Sequence, residues 1–202
     1  MRFFLWLILL LTIHSSLVAQ PHTDSILAFR RQYVQDLFTD EHSPLRGGDT
    51  ASLRFYPPDE QYVVKASLLL TPKAPVFDIL THSGKKKQYR QYAIARFRLR
   101  GKDCSLSIYQ SVALIRKEQY RNSLFLPFND QTNYLTTFAG GRYIDLSTED
   151  VKEGTIIIDF NKCYNPYCAF AGGYSCPIPP AENKLPIAIE AGEQLFAGEV
   201  KD

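Results

Sequence analysis

The sequence has little of what several common function classes require. Its formal net charge is only +2, from 23 Lys and Arg against 21 Asp and Glu. It therefore lacks the basic excess that neutralises a phosphate backbone, and we expect no nucleic-acid partner. The chain has no internal repeat, and 45% of its 202 residues are apolar, which excludes a disordered, collagen-like or coiled-coil protein. The length is sufficient for one globular domain with a core of its own.

The sequence also lacks an apolar run long enough to span a bilayer, which takes about 20 residues. The uncharged run at residues 3–13 follows Arg2, and the small residue Ala19 precedes the polar Gln20, which is typical of a secretory signal peptide. We predict a signal peptide at residues 1–19 and an exported mature chain, periplasmic or extracellular, with no stable membrane insertion after signal removal. A helix and linker are predicted at residues 20–50, and a single β-rich domain at residues 51–202.

The hydrophobic pattern predicts one helix followed by strands. Apolar residues recur at helical spacing over residues 24–40, and no second long amphipathic period follows. Nine short segments bounded by turn residues are predicted strands: 62–70, 76–81, 89–100, 104–111, 112–115, 123–128, 143–146, 155–160 and 186–190. The predicted fold is mainly β, an antiparallel barrel-like or sandwich-like sheet with one N-terminal amphipathic helix.

Two residue types stand out in the strands. In the segment 89–100, apolar side chains alternate with Arg96, Arg98 and Arg100, so one face is a positive stripe that is either solvated or able to meet an anionic ligand. The chain has 12 Tyr but a single Trp, Trp6, which lies in the predicted signal peptide. Tyrosine suits both ordinary strand faces and the wall of a partly hydrated cavity.

The cysteines offer three interpretations. Cys168 and Cys176 are eight residues apart with two glycines between them, and in an oxidising compartment a disulfide would close this loop. A metal site formed by Cys163, Cys168 and Cys176 would lack a C-x-x-C pair and a nearby His, so we expect no metal and no cofactor. Reduced structural thiols are the third possibility.

Polar residues are packed among prolines and glycines in the C-terminal half. The segments DFNKCYNPYCA at 159–169 and CPIPPAEN at 176–183 need an internal hydrogen-bond network, a crosslink or a ligand to be stable. They resemble the domain-of-unknown-function 1684 family of bacteria and archaea, and the resemblance extends from about residue 54 to 193. It implies a shared fold of this length and no established activity. Tyr134 and Thr136 stand where relatives usually have Gly and Glu, and Cys163 where they usually have Ala.

The polar segments predict a cavity for a small polar ligand, and disulfide formation between Cys168 and Cys176 would hold its loop. Its predicted wall consists of polar side chains from the C-terminal half: Asp130, Arg142, Tyr143, Asn161, Tyr164, Asn165, Glu182 and Asn183. One alternative is a hydrolase that uses two carboxylates at this cavity, chosen from Asp130, Asp145, Asp159, Glu182 and Glu190. The other is a structural envelope protein in which the polar residues satisfy only one another.

Overall fold

The computed structural model describes residues 21–202, so the predicted signal peptide at 1–19 lies outside the described residues. The single α-helix of this part of the chain, α1, spans Pro21–Thr39, three residues longer at its start than predicted. Proline is well suited to the first turn of a helix, where its missing N–H has no intrahelical partner. Among residues 21–202, no helix is both long and apolar enough to cross a membrane.

The described residues form one antiparallel sheet of seven strands. The strands are β1 (Val63–Leu70), β2 (Val76–Leu80), β3 (Lys86–Leu99), β4 (Lys102–Ser111), β5 (Ser123–Phe128), β6 (Arg142–Ser147) and β7 (Thr155–Asp159). Their order is β6-β5-β4-β3-β1-β7, with β2 also paired to β3, and the sheet curls into a half-barrel. This confirms the prediction of a mainly β, antiparallel barrel-like fold with one N-terminal helix.

The long strand β3 organises the sheet. Its first half pairs with β2 and its second half with β1, while β4 lies along its other edge. The predicted alternation is confirmed, because the apolar face is buried and the exposed face carries Arg96 and Arg98. A bulge in the register between Gln91 and Ala93 bends the strand between its two halves.

Two of the nine predicted strands are wrong. Residues 112–115 continue β4 by one backbone bond, from the N–H of Val112 to the carbonyl of Gln88, and then turn into a 3-10 turn at Leu114–Arg116, where Leu114 is exposed. Residues 186–190 are extended without a ladder of their own, and Pro186 has no N–H to donate to one. Their apolar side chains fill the core, which explains the strand-like pattern.

The core lies inside the half-barrel. Buried side chains of six strands pack there with four apolar residues of the C-terminal segment, namely Leu185, Ile187, Ile189 and Ala191. Helix α1 packs through a second cluster, in which Leu37 meets Leu45, Leu53 and Phe170. The C-terminal segment thus occupies the interior, and α1 borders the cavity described below.

Candidate functional site

Arg142 lies at the centre of a buried hydrogen-bond network in the predicted ligand wall. Its side chain is 0% exposed and forms a salt bridge with Asp130 at 2.9 Å. Its other donors reach the backbone carbonyls of Ile189 at 2.8 Å, Ala191 at 2.5 Å and Glu193 at 3.2 Å. The guanidinium therefore supplies to the C-terminal segment the hydrogen bonds that a neighbouring strand would otherwise give.

Asn183 has a similar role between two strands. β4 and β5 share a single aligned pair, Tyr109 with Phe125, so their backbones are otherwise not bonded to each other. The Asn183 amide donates to the carbonyls of Ser107 at 2.8 Å and Pro127 at 2.7 Å, and its oxygen accepts from the N–H of Ser107. The side chain replaces part of the missing ladder.

Asn161 and Glu182 are also bonded to protein groups. The Asn161 side chain accepts from the N–H of Asp59 at 2.8 Å and donates to the carbonyl of Asp59 and to the carboxylate of Asp159. Glu182 is exposed and accepts from the hydroxyl of Tyr109 at 2.8 Å. Together with Asp130, Arg142 and Asn183, these residues lie outside the open cavity that the other three predicted wall residues line.

The remaining three predicted wall residues, Tyr143, Tyr164 and Asn165, line an open cavity of about 790 Å³. We call it the tyrosine cavity, because seven of the 12 tyrosines line it: Tyr33, Tyr89, Tyr120, Tyr143, Tyr164, Tyr167 and Tyr174. Its walls come from α1, from β3, β5 and β6, and from the segments at residues 162–167 and 174–177.

Asp145 is the carboxylate on the sheet wall of the tyrosine cavity. It pairs across the sheet with Phe125 and follows Tyr143 by two residues, so the three side chains point to the same face of the sheet. The hydroxyl of Tyr164 donates to Asp145 Oδ2 at 2.8 Å. Asp145 is exposed to solvent at the cavity, although many protein atoms lie near its carboxylate. This desolvation raises the pKa of Asp145, and the bond from Tyr164 offsets the rise in part.

Aromatic rings surround this carboxylate. Phe125 and Tyr143 pack edge to face with ring centroids 4.8 Å apart, and Tyr143 and Tyr164 do so at 5.9 Å. Tyr89 stacks on Phe125 at 5.5 Å. Burial, and secondarily the charge of Asp145, raises the pKa of Tyr89 to about 12. The wall thus combines apolar ring surface with one acceptor group.

Four other charged side chains line the cavity, and none of them forms a salt bridge with Asp145. Asp40 accepts from the hydroxyl of Tyr167 at 2.5 Å, and Asp36 accepts from Gln32. The ammonium of Lys162 lies 5.6 Å from the centroid of the Phe29 ring. Partial burial lowers the pKa of Lys87.

Cys168 and Cys176 are placed for a disulfide, with Cα atoms 6.3 Å apart. Cys176 and Pro177 line the tyrosine cavity, and the hydroxyl of Tyr143 donates to the carbonyl of Pro177. Cys104 and Cys163 are buried and unpaired. Within residues 21–202, no three His, Cys, Asp or Glu side chains are grouped so that they could hold a metal ion.

Sequence reasoning missed most of the cavity wall. Tyr33 belongs to the predicted helix and Tyr89 to a predicted strand, but nothing in the local pattern brings them together with Tyr167 and Tyr174. The usable signal was the abundance of tyrosine. A second signal was the spacing of Tyr143 and Asp145, because residues two apart on a strand share a face.

The chain is similar to proteins whose function is not characterised. A family model described as "Protein of unknown function (DUF1684)" matches residues 49–194. Among solved structures, the solution NMR structure of an uncharacterized protein of Haloarcula marismortui is 29% identical, with a TM-score of 0.66. That match covers 85% of this chain and 92% of the archaeal one. No curated protein matches the chain.

Proposed function

The chain belongs to the DUF1684 family of proteins of unknown function, and we propose that it is a binding protein whose tyrosine cavity holds a small ligand. The ligand has a largely apolar body and one polar group. This proposal retains the binding role predicted from the sequence but places the site in the tyrosine cavity instead of at the predicted polar wall. The predicted polar wall is largely bonded to itself, whereas the cavity leaves ring surface and a carboxylate available.

The observation that carries the proposal is the combination of size and lining of the tyrosine cavity. Its volume of about 790 Å³ lies in the range of roughly 300–1,000 Å³ that small-molecule sites occupy. Such sites are mostly apolar and aromatic, with a few polar groups that orient the ligand. Here the rings of Tyr89, Phe125 and Tyr143 supply the apolar surface, and Asp145 supplies the orienting group.

The geometry gives less support to the hydrolase alternative. Of its five candidate carboxylates, only Asp145 lines the cavity. Asp130 is bonded to Arg142, Asp159 lies 3.2 Å from His22, and Glu190 lies 3.8 Å from Arg100. Acid–base hydrolysis of a glycoside requires a second carboxylate about 5–10 Å from the first. Asp36 and Asp40 also line the cavity, but both already accept hydrogen bonds, from Gln32 and Tyr167. The self-bonded polar segments agree with a structural role for those residues, but they do not account for the open cavity.

We propose further that the protein acts outside the cytoplasm. Two features support this. Residues 1–19 have the composition of a secretory signal peptide. Cys168 and Cys176 are placed for a disulfide, and disulfides persist in oxidising compartments.

Dye binding tests the binding role. N-phenyl-1-naphthylamine is a neutral aromatic dye whose fluorescence rises in apolar surroundings, and we expect the wild-type protein to bind it. Ser123 lines the cavity, so Ser123→Phe should fill part of it and weaken dye binding. Ser105→Phe, on the exposed face of β4, is the matched control. Absence of dye binding by the wild type, or equal binding by both variants, would contradict the proposal.

A further inference from the structure

The carboxylate of Asp145 has no cationic partner in the described structure. Within residues 21–202, no Lys, Arg or His nitrogen lies within 4.0 Å of it, and its one hydrogen-bond donor is the neutral hydroxyl of Tyr164. The buried Asp130, in contrast, is paired with Arg142. Asp145 is exposed to solvent at the cavity, so an ammonium group from outside the chain can reach its carboxylate and supply the opposite charge that the protein does not.

The surroundings of Asp145 favour the same sign of charge. The faces of aromatic rings carry negative electrostatic potential, which attracts cations and repels anions. Phe125 lies opposite Asp145 on the neighbouring strand, Tyr143 precedes it by two residues, and Tyr164 bonds to it. These rings pack edge to face on one another, with interplanar angles of 73° and 88°.

The cavity already contains one ammonium beside an aromatic ring. Lys162, which lines the cavity, places its Nζ 5.6 Å from the centroid of the Phe29 ring, within the distance at which cation–π attraction operates. Phe29 belongs to α1, so this contact lies on the helix side of the cavity. It shows that the ring surface of this cavity is compatible with a primary ammonium group.

From the unpaired carboxylate and the rings around it, we infer that the ligand of the tyrosine cavity carries an ammonium group that binds Asp145 beside Phe125, Tyr143 and Tyr164. The apolar body of this organic amine packs against the rest of the tyrosine wall. This inference rests on the proposed binding function and adds the chemical class of the ligand. Neutral alcohols would gain only a hydrogen bond, and carboxylates would meet both the charge of Asp145 and the ring faces.

Two probes of matched shape test the charge preference. 2-Phenylethylamine is protonated at neutral pH, and 2-phenylethanol is neutral and of similar size. Each is titrated into the wild-type protein with bound N-phenyl-1-naphthylamine, and amide chemical shifts provide a second readout. We expect the amine to bind at least about tenfold more tightly than the alcohol, from the ion pair and the cation–π contacts together.

Asp145→Asn keeps the shape of the side chain and removes its charge, so the preference for the amine should fall close to unity. The control Asp103→Asn removes an exposed carboxylate outside the cavity and should keep the preference of the wild type. If Asp145→Asn does not fold, the comparison of the two probes with the wild type decides the question. Equal affinity of the wild type for both probes would overturn the inference and leave the binding function standing. If neither the dye nor either probe binds, the proposed binding function and the inference about the amine are both overturned.

Discussion

At the scale of single residues, the buried Arg142 carries hydrogen bonds that the sheet does not provide. Its guanidinium is the partner of Asp130 and a donor to three carbonyls between residues 189 and 193. We expect Arg142→Ala to lower the free energy of unfolding by about 3–5 kcal/mol, because the buried Asp130 then has no opposite charge and three carbonyls lose their donor. Urea denaturation measures this change.

The control for this variant is Arg98→Ala, since Arg98 is exposed on β3. It should change the free energy of unfolding by less than about 0.5 kcal/mol. A mild effect of Arg142→Ala, similar to that of the control, would show that the carbonyls at 189–193 find other donors and that the network is not structural.

Glu193 makes stability depend on pH. Its side chain is fully buried, and Tyr33 and Asn165 donate to Oε2, whereas Oε1 has no partner. Burial raises its pKa from the ordinary 4.5 to about 7, although the hydrogen bonds and Arg142 act in the opposite direction. The folded protein therefore holds a proton on Glu193 in a range where the unfolded chain has lost it.

The raised pKa of Glu193 contributes roughly 3 kcal/mol to the free energy of unfolding. This contribution is fully present below the unfolded pKa of about 4.5 and is lost as the pH rises to about 7. Glu193→Gln keeps the size of the side chain but cannot ionise. We expect the difference in unfolding free energy between wild type and variant to shift in favour of the variant over this pH range. Urea unfolding at a series of pH values measures it, and a constant difference would contradict the prediction.

At the scale of elements, the turn at Gly192 fixes the C-terminal segment against the 3-10 turn at Phe160–Lys162. Gly192 has φ +72°, and a Cβ there would lie 2.7 Å from the carbonyl oxygens of Phe160 and Cys163 and would also meet Cys163 Sγ. Gly154, before β7, has the same φ, but nothing lies within 4 Å of its Cβ position. Comparing substitutions at the two glycines therefore separates the cost of backbone strain from the cost of steric overlap.

We expect Gly154→Ala to cost about 1–2 kcal/mol of unfolding free energy, from the left-handed backbone conformation alone. Gly192→Ala should cost roughly 1–3 kcal/mol more, because the turn must also move away from the added methyl group. Thermal or urea unfolding of the two variants compares them directly. Equal losses would mean that the segment at 191–193 adjusts without cost and is not fixed as described.

The elements that could be predicted are those whose pattern is local. The alternation of β3 and the helical period of α1 each depend on a few neighbouring residues, and both were confirmed. The segment at 186–190 was predicted as a strand because its apolar residues alternate, but a strand also needs a partner backbone. Here that partner is replaced by side chains such as Arg142, which the alternation cannot reveal.

At the scale of the whole molecule, the tyrosine cavity exists only because distant parts of the chain meet. Tyr33 of α1 packs on Tyr164 with ring centroids 5.8 Å apart, although the two residues are 131 positions apart in the sequence. The consecutive strands β5 and β6 pair as sequence order suggests, but nothing in the spacing indicates that residues 174–177 line the same cavity. For this reason the polar segments could be located from the sequence, whereas the wall of the cavity could not.

The Cys168–Cys176 pair connects the stability of the whole molecule with its cavity. A disulfide that closes a loop of this length should contribute about 2–3 kcal/mol to the free energy of unfolding. Burial raises the pKa of the Cys163 thiol to about 11 and also raises the pKa of the Cys104 thiol. Because the thiolate is the form that reacts, both cysteines should stay reduced. The oxidised protein should therefore weigh two hydrogens less than the reduced chain.

Reduction should lower the urea midpoint and weaken dye binding, because Cys176 and Pro177 form part of the cavity wall and Pro177 holds the Tyr143 hydroxyl. The double variant Cys168→Ser/Cys176→Ser should resemble the reduced wild type, and the reductant should have no effect on it. This control separates the crosslink from any action of the reductant on Cys104 or Cys163. A wild-type midpoint that does not move on reduction would show that the crosslink does not have this role, and a mass lower by four hydrogens would contradict the expectation that Cys104 and Cys163 stay reduced.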